Sequence, residues 1–100
     1  MSEVVALAAA ESQLFELYDK LEDRREGLGD RFDADYRDAC VCLESFPELG
    51  PMFEGRVRRL LLRQWHIGLF YVIEGNRIMI QGALDVRQSP RSIRRQLGLI

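Results

Sequence analysis

The period of the hydrophobic pattern changes once along this 100-residue chain, and the change limits the fold more than any other feature. Before Pro47 the apolar residues recur at three- and four-residue steps, the repeat of one face of an α-helix. After Pro51 they recur in steps of two, the repeat of a β-strand. The sequence therefore predicts a helical part followed by a sheet.

Two amphipathic helices are predicted before the change of period. The first begins near Leu7, and Gly27–Asp30 separates it from the second, with Asp30 available as the N-cap. The apolar faces comprise Ala10, Leu14, Leu17, Tyr18 and Leu21 in the first helix and Leu28, Phe32, Tyr36, Ala39, Leu43 and Phe46 in the second. A short glycine turn between two such helices predicts a helical hairpin.

The second part predicts a strand over Val57–Arg63 and a β-hairpin formed by Ile67–Glu74 and Arg77–Leu84. Gly75-Asn76 fits a two-residue turn, with glycine at the position that favours type II′ geometry. Closing this turn predicts the cross-strand pairs Glu74 with Arg77, Ile73 with Ile78, Tyr71 with Ile80 and Ile67 with Leu84. The apolar face made by these pairs should pack on the two helices.

The opposite face of the hairpin is more apolar than an exposed antiparallel face normally is. It carries Phe70, Val72 and Met79. Either the C-terminal segment or a partner chain should cover it, and Ser89-Pro90 opens a short helix in that segment that ends near Leu97. The prediction is one α+β domain over residues 1–100: an N-terminal α-helical hairpin packed on a small, mainly antiparallel β-sheet, with a short C-terminal helix.

Charge is divided unevenly between the two halves of the chain. Residues 1–54 hold 14 acidic and five basic side chains, whereas residues 55–100 hold two acidic side chains and nine arginines. Because the arginine fork suits phosphate and carboxylate groups, the second half is expected to face an anionic partner. The alternative is a solvated face whose arginines balance the acidic half.

Several classes of protein are not expected. Val4–Leu7 is not preceded by a basic leader, and no apolar run approaches the roughly 20 residues that span a bilayer. The protein is therefore predicted to be soluble and cytoplasmic, without membrane contact. Cys40 and Cys42 diverge on a helix and are interpreted as two buried thiols. With His66 as the only histidine, neither a metal site nor a cofactor is predicted.

Five local sequences follow one another in an order typical of a known family. They are Glu22–Phe32, Phe46–Pro51, Val57–Arg63, Gly68–Ile73 and Arg87–Arg91. With the predicted order of elements, they make the chain resemble the RelE/ParE superfamily of toxins, also described as plasmid stabilisation proteins. The resemblance implies the toxin of a type II toxin-antitoxin system, which causes growth arrest and is silenced in a hetero-oligomer with a cognate antitoxin. Contact with DNA is expected only indirectly, through the antitoxin.

The resemblance leaves the target open between two branches. RelE-like members cut messenger RNA on the ribosome, whereas ParE-like members inhibit DNA gyrase without nuclease chemistry. If the chain is a nuclease, Arg59, Arg63 and Arg87 match the family positions that hold catalytic cations. Structural ion pairs between these arginines and the acidic helices are the other interpretation.

Nuclease chemistry also needs a general base and a general acid. Lys20 is the only lysine, neither histidine nor tyrosine follows Tyr71, and Asp85 stands where relatives often have histidine. His66 is expected to lie away from the C-terminal tail, and Trp65 at the edge of the core, with stacking on a nucleobase as its other interpretation. These residues favour a ParE-like gyrase inhibitor over an enzyme; the endoribonuclease and a non-toxic antitoxin-binding module stay open as alternatives.

Two sets of contact residues follow from this interpretation. The predicted target-binding residues are Arg87, Arg91, Arg94 and Arg95. The predicted antitoxin-binding residues are Arg59, Arg63, Phe70, Val72 and Met79.

Overall fold

The structure is a computed structural model that describes residues 2–100. Its elements are β1 (Glu3–Ala6), α1 (Ala8–Arg24), α2 (Leu28–Ser45), β2 (Met52–Glu54), β3 (Val57–Leu62), a 3₁₀ turn (Arg63–Trp65), β4 (Ile67–Glu74), β5 (Arg77–Asp85) and α3 (Pro90–Gln96). The strands form one five-stranded sheet in the order β1-β5-β4-β3-β2. β1 pairs with β5 in parallel and the other neighbours are antiparallel. The predicted α+β class, helical hairpin and short C-terminal helix are confirmed.

The turn of the helical hairpin is closed by a side chain that the sequence did not single out. The carboxylate of Glu22 accepts hydrogen bonds from the backbone N–H groups of Gly27 at 3.1 Å, Gly29 at 2.8 Å and Asp30 at 3.2 Å. Gly27, in the left-handed conformation with φ of 87°, is the N-cap of α2. The prediction of Asp30 as N-cap is therefore wrong; its carboxylate instead accepts a hydrogen bond of 2.6 Å from the Tyr18 hydroxyl.

β4 is the middle strand and is buried on both faces, which explains its almost continuous apolar sequence. On one face, Tyr71, Ile78 and Ile80 are fully buried and pack against Ala10 of α1 and Leu43 of α2. The predicted pairs Glu74 with Arg77, Ile73 with Ile78 and Tyr71 with Ile80 are confirmed. This face meets the helical hairpin as the sequence predicts.

A β-bulge makes the remaining part of the predicted register wrong. Tyr71 pairs with Ile80 but Phe70 pairs with Gly82, so Gln81 is an extra residue on β5. Because side chains alternate between faces, one extra residue moves every later side chain of β5 to the other face. Ile67 consequently pairs with Asp85, and Leu84 lies on the face opposite the helices.

The C-terminal segment covers the second face of the sheet. Phe70 is fully buried and Val72 is 7% exposed, and both pack in one cluster with Ile93 of α3. Leu97 and Leu99 complete the cover, while Met79 is half-buried at its edge. Of the two covers considered from the sequence, the C-terminal segment is therefore the one present in this structure.

Both edges of the sheet are short strands that the sequence analysis did not predict. β1 has four residues and β2 has three, too few for an alternating pattern to stand out. The β-branched pair Val4-Val5 is the signal that could have indicated β1. None of the helices among residues 2–100 is both long and apolar enough to span a bilayer.

Candidate functional site

The three arginines predicted from the nuclease branch occupy different surfaces. Arg59 lies on β3 opposite Phe70, and its Cγ would be 3.1 Å from a Cβ added at Gly68. Arg63 starts the 3₁₀ turn and lines a groove of about 360 Å³. Arg87 follows β5 and lines another cleft. The structure thus does not bring the three guanidinium groups into one cavity.

The groove at Arg63 also contains Asp35 and Asp38 of α2. No ion pair within 4.0 Å joins Arg59 or Arg63 to a carboxylate among residues 2–100. The alternative interpretation of these two arginines as ion-pair partners of the acidic helices is therefore wrong for the part of the chain described. Their charges remain available for an anionic partner.

Arg87 is held by its neighbour Asp85. The guanidinium donates to both carboxylate oxygens, at 3.1 Å and 2.7 Å, and the backbone N–H of Arg87 donates to the same carboxylate at 2.8 Å. The side-chain bond from Arg87 is the main cause that lowers the pKa of Asp85, and the same pairing raises the pKa of Arg87. Asp85 is thus a fixed anion that orients the arginine fork.

The arginines of α3 divide into one that is paired and two that face solvent. Arg94 Nε lies 3.0 Å from a carboxylate oxygen of Glu54 on β2, which ties α3 to the edge of the sheet. Arg91 and Arg95 are four residues apart and exposed, on the side of the helix away from the buried Ile93. Neither has an ion pair within residues 2–100.

His66 lies beside the segment after β5, which corrects the expectation that it is remote from the tail. His66 and Arg87 line the same cleft of about 610 Å³, and the backbone carbonyl of His66 accepts from the Val86 N–H at 2.9 Å. His66 adopts the left-handed conformation with φ of 57°, which ends the 3₁₀ turn and directs the chain into β4. The bulge in β5 and the position of the 3₁₀ turn could not be seen in the sequence, so this proximity was missed.

Trp65 is a core-edge aromatic, as predicted. Its indole N–H donates to Asp35 at 2.8 Å, and its ring meets Phe32 edge-on with centroids 5.5 Å apart. Trp65 also lines the cleft of His66 and Arg87. Among residues 2–100 no group of three or more His, Cys, Asp or Glu side chains is placed to hold a metal ion.

Among the comparisons with known proteins, the comparison of structures found a similar chain. No family model matches the chain, and no curated protein matches its sequence. A solved structure described as the chromosomal ParDE TA system from P. aeruginosa contains a chain that superimposes with a TM-score of 0.75 at 20% identity. The match covers 86% of this chain and 97% of that one. This protein has the fold of a ParDE-system chain.

At this identity the likeness concerns the fold alone, and on that level it confirms the resemblance drawn from the five local sequences. The match covers most of both chains, so it concerns the whole fold and not a single motif. Function must therefore be argued from the residues on this frame.

Proposed function

We propose that this chain is the toxin of a type II toxin-antitoxin pair. The observation that carries the proposal is the fold shared over 97% of a chain from a ParDE toxin-antitoxin system. The chain would act in the cytoplasm, arrest growth when free, and be neutralised in a hetero-oligomer with its antitoxin. DNA would be contacted indirectly, through that antitoxin.

Growth after induction without the antitoxin tests the toxin proposal first. Arrest that is relieved by co-expression of the adjacent small open reading frame would support it, as would a stable complex of the two products on size exclusion. Unaffected growth, with the protein present in the soluble fraction, would contradict the toxin and leave an antitoxin-binding module.

For the target, we propose inhibition of DNA gyrase by protein contact. Arg91 and Arg95 support this because they are exposed side by side on α3 and have no carboxylate partner among residues 2–100. Arg87 and Arg94 would contribute less, since Asp85 and Glu54 already engage their guanidinium groups. The contact would need no catalytic group on this chain.

Supercoiling by purified gyrase, with toxin added at micromolar concentration, tests this contact. The Arg91→Gln/Arg95→Gln variant should lose at least tenfold in inhibitory strength, because each substitution removes a charge-assisted hydrogen bond worth roughly 1.5–3 kcal/mol. Arg77→Gln is the matched control, since Arg77 is also exposed but lies at the β4–β5 turn. Unimpaired supercoiling by wild-type toxin would remove the proposal.

A messenger-RNA endoribonuclease is the second candidate, favoured by the shared cleft of His66 and Arg87. The imidazole would be its general acid or base and Arg87 its phosphate contact. Primer extension on translated messages after induction should then reveal new 5′ ends that disappear in His66→Gln. An absence of new 5′ ends in the wild type would exclude this activity.

The proposed antitoxin contact includes residues on the face of the sheet that α3 covers, and this cover limits which of them an antitoxin can reach. Phe70 and Val72 lie under α3, so an antitoxin would reach them by displacing α3, whereas Met79, Arg59 and Arg63 are accessible without that change. An apolar antitoxin segment with carboxylates would suit this combination of side chains.

A further inference from the structure

One cleft is formed where the helical hairpin turns against the 3₁₀ turn and the end of β5. Its volume is about 610 Å³, within the range of roughly 300–1,000 Å³ that small-molecule sites occupy. Arg24, Arg25 and Arg31 line it from the hairpin, and Gln64, His66 and Arg87 from the sheet side. Among the residues that line it there is no carboxylate.

The three hairpin arginines come from the acidic half of the chain. Residues 1–54 contain 14 acidic and only five basic side chains, and three of those five basic side chains line this one cleft. Carboxylates are therefore abundant nearby, and Arg37 does pair with Asp33 at 2.8 Å. Arg24, Arg25 and Arg31, however, form no ion pair within residues 2–100.

Local structure directs these side chains to the cleft. Arg24 is the last residue of α1, Arg25 is extended with φ of −164°, and Arg31 lies in the first turn of α2, where its N–H donates to the Gly27 carbonyl at 3.1 Å. Glu22, in the last turn of α1, is occupied by three backbone N–H groups of the hairpin turn and the start of α2. It is therefore not free to neutralise the arginines.

Three guanidinium groups on the hairpin side of one cleft repel one another unless an anion lies between them. Arg87 adds N–H donors on the other side, although Asp85 already offsets part of its charge. Arginine binds phosphate through two parallel N–H···O bonds, so several arginines suit several phosphate oxygens. Leu21, Leu28 and Trp65 also line the cleft and give it apolar surface that a base or sugar could contact. The lining thus combines cationic and apolar residues.

We propose that this cleft binds a nucleotide-containing ligand through closely spaced phosphate groups. The phosphates lie between the hairpin arginines and Arg87, and the base or ribose contacts Leu28 and Trp65. Two sources carry this chemistry: a free nucleoside polyphosphate and a single strand of nucleic acid. The inference goes beyond the gyrase proposal because it concerns binding by another surface. For the endoribonuclease candidate it adds the hairpin arginines to the cleft that His66 and Arg87 share.

The experiment measures binding by titration calorimetry and fluorescence anisotropy at low ionic strength. The probes are ATP, GTP, a labelled ten-nucleotide RNA, a labelled ten-nucleotide DNA and a ten-residue polyglutamate peptide. At least one phosphate-bearing probe should bind with a dissociation constant below 1 mM and weaken as salt is added, and the tighter class identifies the source. No binding of any phosphate-bearing probe would overturn the proposal, as would tighter binding of polyglutamate.

The Arg24→Gln/Arg25→Gln/Arg31→Gln variant should bind that probe at least tenfold more weakly. All three side chains are exposed, so the variant is expected to fold, which circular dichroism checks. Arg77→Gln, an exposed arginine at the far end of β5, should bind as the wild type does. An equal loss in both variants would contradict the cleft as the site.

Amide chemical-shift changes on addition of the probe locate the ligand independently of substitution. They should concentrate at residues 24–31, 64–66 and 87. Changes confined to residues 91–95 would assign binding to α3 and overturn the cleft. Because growth arrest and gyrase inhibition are scored separately, failure of binding here leaves the toxin and gyrase proposals untouched and counts only against the endoribonuclease candidate, which uses the same cleft.

Discussion

The side-chain carbonyl of Gln13, on α1, accepts a hydrogen bond of 2.8 Å from the backbone N–H of Ala83 on β5. β1 pairs with β5 only as far as Ala6 opposite Ile80. Beyond that point β5 has no neighbouring strand on this edge, and Ala83 is only 3% exposed. Gln13 therefore satisfies a buried N–H that a longer β1 would have satisfied.

Gln13→Ala is expected to lower the free energy of unfolding by about 1–3 kcal/mol, because the buried N–H of Ala83 would lose its acceptor. Urea denaturation of both proteins measures the difference. Ser12→Ala, an exposed change one residue earlier on α1, is the control and should stay within about 0.5 kcal/mol of the wild type. Equal stability of Gln13→Ala and the control would show that Gln13 is dispensable.

The register of β4 and β5 is predictable from the sequence only as far as the bulge at Gln81, which lies close to this contact. The hairpin register was predictable from Glu74 to Tyr71 because the Gly75-Asn76 turn sets it locally. Gln81 gives no local sign of an extra residue, so Leu84 was assigned to the wrong face. A bulge depends on packing against other elements, which short-range patterns do not contain.

The candidate site was predictable to a smaller extent than the fold. The arginine-rich second half indicated an anionic partner, but residues 59, 63 and 87 proved to lie on separate surfaces. Arg24, Arg25 and Arg31 were missed because they stand in the acidic half. Their convergence with Arg87 depends on how the hairpin docks on the sheet, which is a tertiary property.

Tyr71→Phe should destabilise the protein although it removes a single oxygen. Tyr71 is fully buried, and its hydroxyl donates to the Pro47 carbonyl at 2.7 Å and accepts from the Gly50 N–H at 2.9 Å. Losing both bonds leaves two backbone groups unsatisfied, at a cost of roughly 1–3 kcal/mol each. Thermal and urea unfolding measure the effect.

Tyr18→Phe is the matched control, since it removes a hydroxyl whose bond to Asp30 is exposed to solvent. That bond is the main cause that raises the pKa of Tyr18 to about 12. Tyr18→Phe should therefore cost less than Tyr71→Phe and should remove the tyrosine that ionises near pH 12. A larger loss of stability in Tyr18→Phe would contradict the role given to Tyr71.

The two cysteines should react at different rates. Cys40 is half-buried, and burial is the main cause that raises the pKa of its thiol, whereas Cys42 is exposed and not the buried thiol that the sequence suggested. Because the thiolate is the reactive form, iodoacetamide at pH 8 should modify Cys42 first. Mass spectrometry of peptides taken at early times measures the order, with urea-unfolded protein as the control. Equal rates in the folded protein would contradict this burial.

Arg87→Gln should raise the pKa of Asp85 towards its ordinary value. In the folded protein Arg87 lowers that pKa, so the pair stabilises the fold at pH values above the ordinary carboxyl pKa and loses its effect as the pH falls through the lowered pKa. Both side chains are more than a third exposed, which limits the effect on stability to below about 1 kcal/mol. NMR titration of the Asp85 carboxyl measures the shift, and Arg91→Gln is the control. An unchanged pKa in Arg87→Gln would contradict the pairing.

The attachment of α3 depends on Ile93, which is 3% exposed against Phe70 and Val72. Ile93→Ala should weaken this attachment by up to the roughly 2–5 kcal/mol typical of such truncations. Hydrogen exchange at residues 91–97 should then accelerate, while Arg91→Ala, an exposed change on the same helix, should alter it little.

The same substitution tests how the antitoxin binds. If the antitoxin reaches Phe70 and Val72 by displacing α3, the Ile93→Ala protein should bind the antitoxin more tightly, because less free energy is needed to release the helix. Weaker binding by Ile93→Ala, with α3 demonstrably loosened, would indicate that the antitoxin binds elsewhere and leaves α3 in place.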